Sequence, residues 1–290
     1  MSQYLNKASI IEFDTEAKHA YQTTSATLSG TTTERKGVVG SEYKFAKMGK
    51  GQATERTAPS ADAIPMNIDH GKISCILKNW SADEFTDIFE QAATNIDEVK
   101  ELAVVIAGAL GRRDDQLKIN ALAAGTFNAT PVQGTSGGLV GTNVGGTATN
   151  LNVSKLRKIK KYMDDNEVPA MGRHIAISPS GLEGLLGETE VVSSDYSNVK
   201  ALVNGDVDTF LGFKFHMIGI RKEGGLTITS TVRDGYAWHE SAIGYANGID
   251  MTTSVDWIPI KKSYLSTGNL RANAIIRDID GVVKYQATEA

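Results

Sequence analysis

The string most suggestive of catalysis is Gly134-Thr135-Ser136-Gly137-Gly138, which satisfies the G-x-S-x-G pattern of a nucleophilic serine. Such a serine needs a strand before it and a helix after it, so that its hydroxyl projects from a strained turn. Here Gly/Thr/Asn-rich sequence flanks it on both sides, and Ser136 reads as a loop residue. The five histidines, His19, His70, His174, His216 and His239, lie far apart, with no H-x-x-x-H or H-E-x-x-H pair to put two imidazoles on one helical face. No metal ligand set is expected, and His216 and His239 read as core or interface residues. There is no Walker A string and no G-x-G-x-x-G after a strand, so no nucleotide or other cofactor is expected. The acidic pairs Asp164-Asp165, Asp206/Asp208 and Asp278/Asp280 fall at helix ends and turns, where capping or solvation is the ordinary role. The single cysteine, Cys75, excludes an intramolecular disulfide and reads as a small buried hydrophobe in a reducing compartment.

What remains is a distribution of cations. Arg35, Lys36, Lys44, Lys47, Lys50 and Arg56 cluster in one early stretch, and Lys155 to Lys161 lie on a helix. On that helix Leu156, Ile159 and Met163 share a face, so the lysines are expected on the solvated side. The early group suggests contact instead: Lys44, Lys47, Lys50 and Arg56 are candidates for docking on acidic groups of a neighbouring subunit. With a net charge of −4 over 290 residues, the chain lacks the basic excess of a nucleic-acid wrapper. Contact with DNA should be local or weak. No run of about 18 apolar residues is present, so no membrane-spanning helix is expected. The first residues also lack the apolar stretch of a secretory signal, and the sequons at Asn79, Asn128 and Asn152 then read as chance matches.

The elements that must position these residues follow in order. Residues 1–35 pass from Ile10-Ile11-Glu12-Phe13 into the Ser/Thr-rich run Tyr21 to Thr33, an arm expected to order only against something else. Residues 36–80 alternate strand-like runs with Gly49-Lys50-Gly51, Pro59 and Pro65. They predict a long two-stranded excursion too poor in apolar residues to stand alone. Ser81-Ala82-Asp83-Glu84 matches a capping box and predicts a helix start. A longer helix capped by Asn95 should run to Ala124, with Gly108 and Gly111 allowing a bend or a close contact.

Residues 129–150 are Gly/Thr/Asn-rich and predict a loop or flap between lobes. The second lobe alternates a helix from Val153 to Met163, a strand at His174 to Ser178, and a helix opened by Ser178-Pro179. A turn follows near Tyr196 to Val203, then strands at Phe210 to Ile218, Leu226 to Thr229 and Tyr236 to His239. Finally Leu270 to Ile279 and Val282 to Ala287 flank Asp280-Gly281, a hairpin signal, and this terminal sheet is expected against the long helix.

The stretch from Ser178 to Glu190, and above all Val199 to Phe215, resembles the central part of a family of tailed-bacteriophage major capsid proteins. The early Gly49-Lys50-Gly51, the long helix and the late Ile243-Gly244-Tyr245-Ala246 agree with the order of that family, so the likeness extends from about residue 36 onward. It implies an α+β fold of the Hong-Kong-ninety-seven type. The divisions would be an N-terminal arm at 1–35, a protruding E-loop at 36–80, and P-domain helices at 81–128 with a spine helix at about 96–124. An A-domain would fill 129–254, and 255–290 would return to the P-domain sheet. The implied role is a virion shell subunit rather than an enzyme, assembled in the host cytoplasm as hexamers and pentamers around double-stranded DNA. Scaffolding, portal and decoration proteins are the implied partners. On the residues alone, another virion component such as a tail-tube or decoration protein, or a hydrolase using Ser136 or a histidine, remains open.

Overall fold

The computed structural model describes residues 23, 25–59, 62–93, 97–188 and 209–289. In chain order these form β1 (Thr33–Arg35), β2 (Glu42–Met48), β3 (His70–Ile76), β4 (Lys78–Asp87), α1 (Ile88–Ala93), α2 (Glu98–Ala123), β5 (Phe127–Asn128) and β6 (Gly137–Val140). They continue as α3 (Val153–Asp165), β7 (Arg173–Ile177), α4 (Pro179–Leu186), β8 (Thr209–Phe210), β9 (Phe213–Met217), β10 (Ile228–Thr229), β11 (Val232–His239), β12 (Ile243–Ile258), β13 (Ser263–Ile276) and β14 (Val282–Thr288). Asn95, the arm up to Gln22, Asp206, Asp208, the turn at Tyr196 to Val203 and most of the Val199 to Phe215 run lie outside the described residues.

Two sheets carry the architecture. One has the order β1-β12-β13-β4, and the other runs β5-β6-β14-β11-β7-β9-β8 with β10 beside β11. The long helix α2 has 26 residues, roughly 39 Å at about 1.5 Å per residue, and its start is capped by the Asp97 carboxylate, which accepts the Lys100 N–H. It lies along β13, where Gly268 permits the approach: a Cβ there would come within 2.3 Å of Ile106 Cγ2. Leu110, Leu117, Leu270, Ala272, Tyr245 and Trp238 share the resulting core. A separate core lies between α3 and the opposite face of the larger sheet, built from Leu156, Ile159, Met163, Ile175, Phe213 and Tyr285.

Four expectations are corrected. Ser81 to Glu84 starts no helix. It lies in β4, which pairs with β13 from Ser263↔Asp87 to Ala272↔Lys78. A capping box satisfies two amides, whereas this ladder pairs ten residues and sets Trp80 and Ala82 opposite Leu270 and Gly268, so the tertiary pairing prevails.

The Asp280-Gly281 signal makes no hairpin, because β13 and β14 belong to different sheets. The Asp280 carboxylate instead accepts the Gly134 N–H at 2.6 Å, tying the turn to a distant loop. The glycine-rich stretch is likewise no simple flap: β6 is largely buried and pairs in parallel with β14. Its glycines are needed because a Cβ on Gly138 would sit 2.6 Å from the Tyr162 ring.

Lys155 is not on the solvated face of α3. Fully buried, it donates from Nζ to the Thr149 and Gln286 carbonyls at 2.6 and 2.7 Å, bracing the helix to β14. The end of the arm orders against α2 of its own chain, with Leu28, Thr31 and Thr32 buried.

That last docking is polar as well as apolar. The fully buried Asp115 carboxylate accepts the Thr27 N–H at 2.9 Å and the Leu28 N–H at 2.8 Å, and it pairs with the Arg221 guanidinium at 2.7 Å. One turn on, Lys118 Nζ donates to the Leu28 carbonyl at 3.0 Å and to Asp114 at 2.9 Å. Gly111 lets the arm cross, since a Cβ would meet Ala26 N at 3.1 Å. Trp238 Nε1 donates to Thr31 O at 2.9 Å. Arg113 pairs with Glu223 at 2.6 Å, and Gln116 Oε1 accepts the Gly224 N–H at 2.6 Å. One helical segment thus grips both the arm and a loop of the larger sheet.

Asp115→Ala should therefore strip two amides, that of Leu28 buried, and a guanidinium of their acceptor together. The expected cost is ~3–5 kcal/mol in denaturant unfolding of unassembled subunits, with the Thr27 and Leu28 amides losing hydrogen-exchange protection. Unchanged protection at those amides would contradict the assignment. Burial pulls the Lys155 ammonium from its ordinary 10.5 down to about 8. Between those values the unfolded chain holds a proton that the folded chain lacks, so stability should rise with pH across that window, by about 3 kcal/mol in all. Lys155→Met should flatten this rise in urea melts compared with wild type.

Candidate assembly surface

The hairpin of β2 and β3 runs in register from Glu42↔Ile76 to Met48↔His70. Its root is embedded: Phe45 and Cys75 are buried with Leu77 and Ala246, and Val38, Tyr43 and Ile275 close over them. Tyr43 meets Phe45 edge-on at 4.8 Å, and Gly244 is bare where a Cβ would strike the Phe45 ring at 2.7 Å. This apolar setting pushes the Cys75 thiol up to about 11, consistent with a packing role. Beyond the bond from Gly49 N–H to Asp69 O the ladder ends. The described residues between them are almost wholly exposed, including Ile64 and Met66, and Met48 is exposed just before the ladder ends. A two-stranded ribbon without a covering layer is marginal in water.

The four cations straddle this boundary, Lys44 and Lys47 on β2 and Lys50 and Arg56 beyond it. Lys47 Nζ pairs with Asp278 at 3.0 Å, holding the hairpin to its own subunit. Lys50 lines a cleft of about 220 Å³ with Glu167, His239, Asp278 and Asp280, also of its own chain. Lys44 is exposed on β2, 3.6 Å from Glu42, and the Ser74 hydroxyl and Lys44 hold the Glu42 carboxyl below its usual range. Arg56 sits in the exposed outer loop near Glu55, Asp62, Ile64 and Met66. Lys44, Lys50 and Arg56 are thus exposed, whereas Lys47 is tied to Asp278 of its own subunit.

Sequence reasoning missed a second exposed region. The distal half of β12 with β13 and β4 forms a ribbon bearing exposed Phe85, Ile249, Met251, Val255 and Trp257, and Ile260 stands at its turn almost fully exposed. Trp257 packs on Tyr264 at 5.0 Å, and Lys261 Nζ lies 3.7 Å over the Phe85 ring. The outer edge of β12 is paired by β1 only at Gly244 to Ala246, so among the described residues its distal edge lacks a partner strand. Long exposed ribbons with free edges are interaction surfaces or aggregation hazards. The signal was the alternation Ile249, Met251, Val255, Trp257, interrupted by register shifts near Ile249 and Thr252.

The residues with catalytic potential are occupied structurally. Ser136 is buried, and its Oγ accepts the Val132 N–H at 3.0 Å. His239 bonds Ser241 Oγ and Met171 O, both at 2.8 Å. His70 is exposed at the start of β3, and His19 lies outside the described residues. The histidines are not as scattered as their spacing suggests, because His174 and His216 face each other at 3.0 Å. Among the described residues no group of three or more His, Cys, Asp and Glu is placed to hold a metal ion.

Comparison with known proteins places these surfaces in context. A family model described as phage capsid protein matches residues 5–289. No curated protein sequence matches the chain. Among solved structures, the capsid of cyanophage P-SCSP1u superposes with a TM-score of 0.75 at 16% identity, covering 99% of this chain and 95% of that one. The head of Helicobacter pylori bacteriophage KHP40 gives 0.74 at 12% identity, with 99% and 98% covered. The structure of Mycobacterium phage Che8 gives 0.70 at 15% identity, with 97% of each chain covered. At such identities the structures speak for the shared fold, and the family model, spanning nearly the whole length, shows that this chain belongs to the phage capsid protein family.

Proposed function

We propose that the chain is the repeating subunit of a tailed-phage shell in which the outer half of the β2–β3 hairpin, the E-loop, lies over an adjacent subunit within hexamers and pentamers. The observation that carries this reading is the division within the hairpin: its root is packed on its own domain, whereas nearly all described residues from Lys50 to Ile68 are exposed. Burial and backbone pairing for that half must come from outside the chain. Lys44, Lys50 and Arg56 are the exposed cations available for acidic groups of the neighbour. Lys47, through Asp278, holds the root from which the loop leaves.

In this reading residues 1–35 are the arm and 36–80 the E-loop. Residues 81–128 with the β12–β13 ribbon form the P-domain, and 129–254 supply most of the A-domain, to which β14 returns rather than to the P-domain. The role is mechanical, with enclosed DNA touched weakly, as suits a net charge of −4. Assembly in the host cytoplasm with scaffolding, portal and decoration partners completes the proposal.

Negative-stain microscopy of the purified chain should show closed polyhedral particles. Replacing residues 50–68 by a short Gly-Ser turn should leave folded subunits that do not close into shells. Arg56→Glu should slow particle formation at low salt more than at high salt, as screening predicts. Tubes from the wild-type chain, or intact shells from the shortened one, would overturn the reading.

A further inference from the structure

The outer loop of the β2–β3 hairpin gathers its exposed apolar side chains at one place. Ile64 and Met66 are 70% and 55% exposed on either side of Pro65. Pro65 fixes its own φ and holds Ile64 extended, so the Ile64-Pro65-Met66 knob is largely preorganised. Asn67, at a φ of 46°, turns the chain just beyond it. Asp62 and Asp69 flank the knob, and both are exposed.

Beside the ladder of the same hairpin, a cleft of about 620 Å³ opens between β2–β3, the C-terminal end of α2 and β13. Its apolar lining includes Ile73, Ala124, Ile276 and Ile279. Its charged lining is Lys47, Lys78 and Arg277, and no acid is among the described residues that line it. Lys47 is committed to Asp278, whereas Lys78 is exposed. Arg277 donates to the Ala46 carbonyl at 3.4 Å and lies over the Phe45 ring, and its Nε has no hydrogen-bond partner. The cleft is therefore apolar within and positive at its rim, while the knob is apolar at its centre and negative at its flanks. In its own subunit the knob stays clear of this cleft, none of whose lining comes from residues 50–68.

We infer that the cleft receives the Ile64-Pro65-Met66 knob of a second copy of this chain, with Asp62 and Asp69 set against Lys78 and Arg277. The inference rests on the reading that the outer loop lies over an adjacent subunit, and it names the place on that subunit where the loop is seated. Knob and cleft are different patches of one chain, so each copy gives one contact and receives another. Head-to-tail contacts of this kind close into rings when the rotation between copies permits.

The test uses full-length subunits. Met66→Cys and Ala124→Cys change exposed side chains, and the native Cys75 is buried. When the two folded variants are mixed under assembly conditions and oxidised, a disulfide-linked dimer should form roughly tenfold above either variant alone. It should exceed by as much a mixture of Met66→Cys with Met171→Cys, which is exposed but outside the cleft. Lys78→Glu should slow particle formation roughly tenfold at low salt, and adding Asp62→Lys to the same chain should restore most of that loss. Wild-type shells without the Met66–Ala124 cross-link, or a Lys78→Glu defect that Asp62→Lys deepens, would overturn the seating and leave the loop-over-neighbour reading standing. Capture of Ala124→Cys by Phe13→Cys in place of Met66→Cys would assign the cleft to the arm and overturn it equally. Failure of the wild type to form shells would remove that reading and this inference together.

Discussion

A single desolvated carboxylate on the long helix is the constraint around which the subunit is arranged. Asp115 has no solvent to turn to, so its charge must be met by Thr27, Leu28 and Arg221 together. Meeting it fixes where the arm crosses α2 and where the 221–224 loop of the larger sheet touches the same helix. Buried charges of this kind contribute little net stability when fully paired and cost much when one partner is lost. Their effect is to select one arrangement of parts, which suits a subunit that must present the same surfaces in every copy.

The hairpin extends this logic outward. Phe45 and Cys75 make its root part of the fold, and Lys47 adds a tether to Asp278. Past Gly49 there is neither ladder nor core. A rigid root with a bare tip directs the loop without satisfying it, so the geometry of a contact is prepared while its energy is left to the partner. The distal β12–β13–β4 ribbon has the same character, with apolar side chains standing out from a well-paired scaffold.

Local patterns made much of this legible. Helical spacing gave α2 and α3, Ser178-Pro179 gave α4, and prolines and glycines marked the hairpin as an excursion. The misreadings share one cause, that a local signal met a long-range demand. Ser81 to Glu84 has the residues of a helix cap but faces a ten-residue ladder with β13. Gly137 and Gly138 look like loop glycines, yet they are small because Tyr162 and Phe127 press on them. Lys155 has the composition of a surface residue and a position that only β14 explains. The His174–His216 pair was invisible because 42 residues separate them, and their meeting depends on the parallel register of β7 and β9, which no local spacing encodes.

The place of β14 carries a consequence for biogenesis. It lies between β11 and β6, antiparallel to one and parallel to the other, so the larger sheet is missing an inner plank until residues 282–288 have left the ribosome. Emerging residues 137–140 and 232–239 cannot zip to each other in the meantime, and closure of this sheet waits for residues 282–288. A nascent or prematurely terminated chain would expose two unfilled edges to the quality-control machinery, and completion of the sheet would mark the moment at which a subunit becomes fit to join its fellows.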